Sequence, residues 1–184
     1  MTIPEVITDG VLLLRRPTMD DLPAMVEAVR ESVPEISHWM GWCHEGYTED
    51  EARSWLESLP AGWEQDHDYS FFITDVQTGL LLGGCGLNHI DRSWGLANLG
   101  YWVRTSQTRK GIASRATRLL ALFGFEHLGV DRVEVVVAVG NEASLRAAKK
   151  AGAAREGVLR NRLHIEGVGV EAVMHSFIPS DFGF

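Results

Sequence analysis

A chain of 184 residues is long enough to bury a sizeable core in one domain. Its 45% hydrophobic and 23% charged residues are the proportions of a soluble globular protein, not of a disordered or fibrous one. A formal net charge of −8 argues against non-specific binding to nucleic acid or to an anionic membrane, and weakly suits a cationic substrate. The two cysteines, Cys43 and Cys85, have no metal or redox spacing and read as reduced, partly buried thiols, which suits a cytoplasmic setting. The start "MTIPEVITDG" lacks a basic region followed by an apolar run, and no apolar stretch approaches the ~20 residues of a membrane span.

In chain order, "VLLLRRP" (11–17) is a short apolar run ending in charge and proline, as a strand does. Asp20 or Asp21 then caps a helix with Leu22, Met25, Val26 and Val29 on one face. "PEISHWMGW" reads as a short helix or turn. Thr48 and Glu51 form a capping box for a helix lined by Ala52, Trp55, Leu56 and Leu59. From residue 69 the period changes. "YSFFITDV", the glycine-interrupted "LLLGGCGLNHI" and "LANLGYWVR" are three strands joined by the turns "QTG" and "DRSWG", an antiparallel meander. A helix is expected over Gly111–Leu128, carrying Ile112, Leu119, Leu122 and Phe123. "DRVEVVVAV" (131–139) is nearly continuous in β-branched residues, like a strand covered on both faces. "NEASLRAAKKAG" is a helix capped by Asn141 and stopped by Gly152. Two closing strands fold about a turn near Glu166–Gly169. No internal repeat or linker interrupts the sequence. One domain over 1–184 is expected, α/β or α+β, with a mixed, mostly antiparallel sheet of about seven strands flanked by about four helices.

The stretch "TRKGIASRA" (108–116) stands between a strand and a helix. The first turn of a helix has unpaired N–H groups and a positive dipole end, which attract an anion. Gly111 lets the backbone approach closely, Ala113 is small, and Arg109 and Lys110 add charge. These residues describe a phosphate cradle, or a solvated loop that ends in a helix start.

The order of elements, with "GYWVRTSQTRKGIASRA" and "NEASLRAAKKAGAAREGVLR", resembles the GNAT (general N-acetyltransferase) superfamily, and within it the RimL-type branch of ribosomal-protein N-terminal (alanine/serine) acetyltransferases. The superfamily loop is Q/R-x-x-G-x-G/A. Thr108, Arg109, Lys110, Gly111, Ile112 and Ala113 hold those positions, so Thr108 replaces the usual Gln or Arg, and Arg109 stands where glycine is common. The resemblance implies that acetyl-CoA is the co-substrate, with its pyrophosphate on the 108–113 loop and its pantetheine arm along the strand edge at Trp102, Val103 and Arg104. It implies that Asn141 contacts the pantetheine or the attacking amine, and that Ser144 lies near the thioester sulfur and assists the departing thiolate. Many relatives use a tyrosine for that task; none of Tyr47, Tyr69 and Tyr101 occupies its position. Both Asn141 and Ser144 also suit a plain helix start.

Some relatives place a carboxylate in the strand after "REG", but "VLRNRLH" has none, and the role is not transferred. His44, Glu45, His89 and Asp91 are the remaining base candidates, with His38 and His164 behind them. An acceptor must be neutral to attack. At pH 7 an α-amine of pKa ~7.8 is neutral in roughly one molecule of seven, against about one in 2,500 for lysine. A site without a strong base therefore suits a weakly basic amine. The expected activity is acetyl transfer to a primary amine by direct attack in a ternary complex. The acceptor would be a ribosomal or other protein N-terminus, or a small amine; no metal, nucleic acid or membrane takes part, and a homodimer is compatible. A non-catalytic CoA-binding regulatory module is the alternative. Trp39, Trp42, Trp55 and Trp63 fall where relatives form their acceptor side and are candidates for an aromatic pocket.

Overall fold

The computed structural model describes residues 3–184. One eight-stranded sheet runs through it in the order β1-β2-β3-β4-β5-β6-β8-β7. The strands are β1 (Val6–Thr8), β2 (Leu12–Arg15), β3 (Tyr69–Asp75), β4 (Leu81–Asp91), β5 (Leu96–Val103), β6 (Arg132–Ala138), β7 (Ala154–Ile165) and β8 (Val168–Phe177). The helices are α1 (Leu22–Ile36), α2 (Glu49–Glu64), α3 (Ile112–Phe123) and α4 (Glu142–Ala151). Every neighbouring pair is antiparallel except β5 and β6.

The expected seven strands become eight because β1 pairs Val6–Thr8 with Leu13–Arg15. Three half-exposed residues carry no period of their own. Two helices run further than their sequence signals. α1 absorbs Pro34 and the start of "PEISHWMGW", and α2 continues through Pro60 to Glu64. The helix expected to reach Leu128 instead widens into a π-helical turn over Gly124–Leu128 and stops at Gly129. There the chain passes tightly over the sheet: a Cβ on Gly124 would sit 3.1 Å from Leu87 and 3.2 Å from Val133.

Strand alternation divides the core between two layers. Tyr69, Phe71, Leu87 and Val133 pack against Phe123 and Leu120 of α3 and Ala148 of α4. Phe72 and Leu81 pack against Met25 and Val29 of α1 and Leu56 of α2, with Trp102 at the margin. Cys43 and Cys85 are both free and buried, and burial pushes both thiols up.

Candidate active site

The site begins where β5 and β6 part. Parallel pairing joins Leu96, Ala97 and Asn98 to Arg132, Val133 and Glu134 and then stops, while β5 runs on to Val103. The Arg104 N–H donates to the Leu82 carbonyl at 2.8 Å. Alternation therefore turns the backbone groups of Trp102 and Arg104 toward β4, and those of Tyr101 and Val103 toward the open side. Of the three residues expected to offer a strand edge, Val103 does so; Tyr101, not singled out in the sequence for that role, does as well. Trp102 instead sends its indole over Gly84 on the α1–α2 face; a Cβ on Gly84 would lie 2.6 Å from the indole Nε1.

Arg104 is committed elsewhere. Its guanidinium is ion-paired with Glu27 and with Glu31, the latter at 2.5 Å. Glu31 also accepts from Ser106 N at 2.7 Å, Ser32 Oγ from Thr105 N at 3.1 Å, and Glu35 from the Thr105 hydroxyl at 2.7 Å. These partners hold the Glu31 carboxyl below the usual carboxylate range against the opposing effect of desolvation. The segment between β5 and α3 is thus pinned to α1 by four side chains, each one turn or less from the next.

Beyond that clamp the chain enters the 108–113 loop. Thr108 closes a turn, its N–H and hydroxyl both donating to the Thr105 carbonyl. Arg109 has φ 63°, the left-handed region that glycine enters without strain. Gly111 caps α3 at φ 80°, where a Cβ would be strained. The first helical bond at this end runs from Arg115 N to the Gly111 carbonyl, so the amides of Ile112, Ala113 and Ser114 have no intrahelical partner. A Cβ on Gly111 would lie 3.3 Å from Lys150 Nζ, so an ammonium from the last turn of α4 overhangs the cradle. Lys110 reaches Gln107 at 2.7 Å. Unpaired amides, a positive dipole end and nearby cations fit a diphosphate. Lys150 escaped the sequence reading because it lies 39 residues past the glycine that it overhangs.

Asn141 and Ser144 open α4. The Asn141 side chain accepts from Ser144 N at 3.1 Å, the helix-cap geometry. The Ser144 hydroxyl lies 2.7 Å from the Tyr101 hydroxyl, which is also 3.2 Å from the Ser144 carbonyl. Desolvation pushes the Tyr101 phenol up, with the Ser144 hydrogen bond opposing it, so the phenol remains protonated at neutral pH. Tyr101 thus comes from β5 to meet Ser144 on the open side of the sheet.

On the opposite face lies a hollow of about 460 Å³ between β3–β5 and the α1–α2 segment. Trp42, Trp55 and Trp102 line it. Two of the four expected tryptophans are elsewhere: Trp63 packs on Tyr69 and Phe71 beneath Arg16, and Trp39 stands edge-on to His38. Of the base candidates, His44 lines the hollow, 2.9 Å from Glu51. Glu45, His89 and His164 are exposed. Asp91 accepts hydrogen bonds from Ser93 and Trp94 within its turn, and His38 is 3.8 Å from Glu166. One carboxyl was missed. Asp68 accepts at 2.7 Å from Ser70, which lines the hollow, and burial raises the Asp68 pKa.

A strand splayed from its parallel neighbour, followed by a helix start whose first amides are unpaired, has the chemistry to hold a phosphate-bearing co-substrate. Residues 11–154 match the family model described as acetyltransferase (GNAT) domain, and the chain belongs to that family of acetyl-CoA-dependent acetyltransferases. It is 26% identical over 167 residues to YdaF of Bacillus subtilis (strain 168), which carries the name of a ribosomal N-acetyltransferase, with 88% of each chain covered. It is 32% identical over 123 residues to the N-acetyltransferase YjcK of the same organism, covering 66% of this chain and 68% of that one. A Vibrio cholerae structure described as a ribosomal-protein-serine acetyltransferase superposes with TM-score 0.85 at 30% identity, covering 97% of this chain and all of the other. The structure of RimL, a ribosomal L7/L12 α-N-protein acetyltransferase in complex with coenzyme A, has the same fold, with TM-score 0.85, 20% identity and coverage of 95% and 98%. Among the described residues no helix is long and apolar enough to cross a membrane, and no cluster of His, Cys, Asp and Glu forms a metal site.

Proposed function

We propose that the protein acetylates a weakly basic primary amine, foremost the α-amine of a peptide or protein N-terminus, by direct attack in a ternary complex with acetyl-CoA. The observation that carries this is the Tyr101–Ser144 hydrogen bond beside the β5–β6 opening. In this reading the amides of Ile112 to Ser114, with Lys110 and Lys150, take the diphosphate, and Arg109 adds charge at the rim. The pantetheine amides meet the free edge at Tyr101 and Val103, where a backbone N–H also serves the carbonyl oxygen that becomes negative. The neutral amine nitrogen attacks the thioester carbon, the C–S bond breaks, the nitrogen gives its extra proton to water, and the CoA thiolate takes one from solvent. Ser144 donates its hydroxyl hydrogen toward the departing sulfur, whose free thiol would have a pKa of about 8.5. Asn141 fixes the helix start that carries Ser144.

The similarity to YdaF supports an N-terminal acceptor, since that relative is named for ribosomal N-acetyltransfer. The test is thiol release from acetyl-CoA with N-terminal peptides, polyamines and amino-acid amides as acceptors. Transfer to α-amines is expected; CoA binding without release on any amine would leave a regulatory CoA-binding module. Gly111→Val is a poor probe of the cradle, because φ 80° strains the variant whether or not a ligand is bound. Lys150→Ala avoids that problem. It should weaken CoA binding about tenfold at low salt, and the deficit should shrink as ionic strength rises. Equal affinity by calorimetry would remove Lys150 from the site.

A further inference from the structure

The hollow on the α1–α2 face is built by what three strands leave out. In register, Ser70 of β3 faces Gly86 of β4, and Gly86 faces Gly100 of β5. In the next row on that face, Phe72 faces Gly84, and Gly84 faces Trp102. Two adjacent glycines and a serine thus leave the sheet bare across three strands, beside a row that ends in a tryptophan. The space above is closed by Met25, Met40, Trp42, Tyr47 and Trp55. Trp42 stands edge-on to Trp102 at 5.8 Å and to Tyr47 at 6.3 Å, so three rings form one wall.

Four polar side chains around the hollow already have partners. Ser70 donates to Asp68, Asn88 accepts from Asn98, and His44 and Glu51 hold each other. The rest of the lining is mostly apolar and π surface, its polar points being the Tyr47 hydroxyl and the indole N–H groups. The volume of about 460 Å³ lies within the range of small-molecule pockets, roughly 300–1,000 Å³. A methyl or hydroxymethyl group would leave most of it filled with water. The hollow reaches β5 at Gly100 to Trp102, beside the residues whose opposite edge is open.

We infer that this hollow receives the group next to the acceptor amine, that it selects a large apolar or aromatic group over a methyl or hydroxymethyl, and that Gly100 sets the size admitted. This rests on the amine-acetylation reading. An ammonium-bearing ligand entering the hollow also meets aromatic faces that attract cations, and the Glu51 carboxylate at the rim. Gly100 is the position to test because a Cβ there meets nothing within 4 Å, unlike one at Gly84 or Gly86. Valine suits a strand and would project into the hollow.

Peptides identical except for a first residue of Ala, Ser, Leu or Phe, each with a free α-amine, are compared by thiol release with acetyl-CoA; phenylalanine amide tests whether the peptide chain is needed. One methylene in an apolar pocket is worth about 10–200-fold, so kcat/KM for Phe and Leu should exceed that for Ala and Ser by about 100-fold. Gly100→Val should cut that ratio to about 10 or less, with folding checked by circular dichroism and by the rise in Tm on adding CoA. Trp42→Ala, at a partly exposed wall position, should lower the same ratio if the glycine variant does not fold. Wild-type protein that transfers equally well to Ala or Ser overturns the pocket while keeping amine acetylation. An unchanged ratio in folded Gly100→Val overturns it too. Transfer to none of these amines overturns the reading beneath it. Phenylalanine amide matching the Phe peptide assigns the hollow to small arylalkyl amines; the peptide alone assigns it to N-termini.

Discussion

The Ser144 hydroxyl has one hydrogen to give. If Tyr101 donates to Ser144 Oγ across their 2.7 Å contact, that hydrogen is free to point at the thioester sulfur. Ser144→Ala should lower kcat about 10–100-fold with little change in the Kd for acetyl-CoA, the usual worth of one proton-transfer group or somewhat less. Tyr101→Phe keeps the ring and removes only the donor, so it should lower kcat less. Acting through Ser144, Tyr101 should add nothing once Ser144 is gone. The double variant is therefore expected to match Ser144→Ala within a factor of two. Losses that multiply would show the two hydroxyls working separately. Full turnover in Ser144→Ala would return that residue to the helix start, where Asn141 already explains its N–H.

At the scale of elements, the cofactor loop owes its position to α1. Glu31 grips Arg104 and the Ser106 amide together, and neither contact faces the cradle directly. Glu31→Ala should raise the KM for acetyl-CoA about tenfold through a looser loop, with kcat changing less; such a supporting shell sets how well a site is held. An unchanged KM would mean that Ser32 and Glu35 suffice. A second clamp ties three strands at the far side of the sheet. Glu156 on β7 accepts from Arg132 on β6 at 2.5 and 2.7 Å, and from Ser176 on β8 at 2.6 Å. Arg132 first, then Ser176, holds the Glu156 carboxyl down at about 2, from an ordinary 4.5. The unfolded chain therefore binds this proton more readily. The contribution is complete above pH ~5 and is lost as pH falls through about 2. The Glu156 side chain is 41% exposed, so solvent screening limits the gain to about 1 kcal/mol or less. Urea unfolding should find Glu156→Gln less stable at pH 7, with the gap closing toward pH 2. A constant gap would mean that the carboxylate's charge contributes nothing.

For the whole molecule, local signals in the sequence located most elements, and long-range pairings arranged the site. The Thr48–Glu51 capping box, the Asn141 cap and the Gly152 stop appear in the structure because each needs only neighbours three or four residues away. The commitment of Arg104 to α1 spans more than seventy residues, and the Tyr101–Ser144 contact spans 43, so neither has a local spacing to read. "LLLGGCGLNHI" was readable as a strand with glycines, but only the register of β3, β4 and β5 turns Gly86 and Gly100 into an empty row. The same assembly bears on the proton balance. Of the base candidates, His44 with Glu51 lines the hollow and is open to solvent, and Asp68 reaches it only through Ser70. With the acceptor's own deprotonation limiting the rate, kcat/KM should rise with pH through the pKa of the free amine, about 7.8 for a peptide N-terminus, and should track that pKa as acceptors are varied. His44→Gln and Asp68→Asn should each leave the limb at the acceptor's pKa. If Asp68→Asn instead abolished the limb and cost 100-fold or more, the raised carboxyl behind Ser70 would be the base that takes the amine's proton.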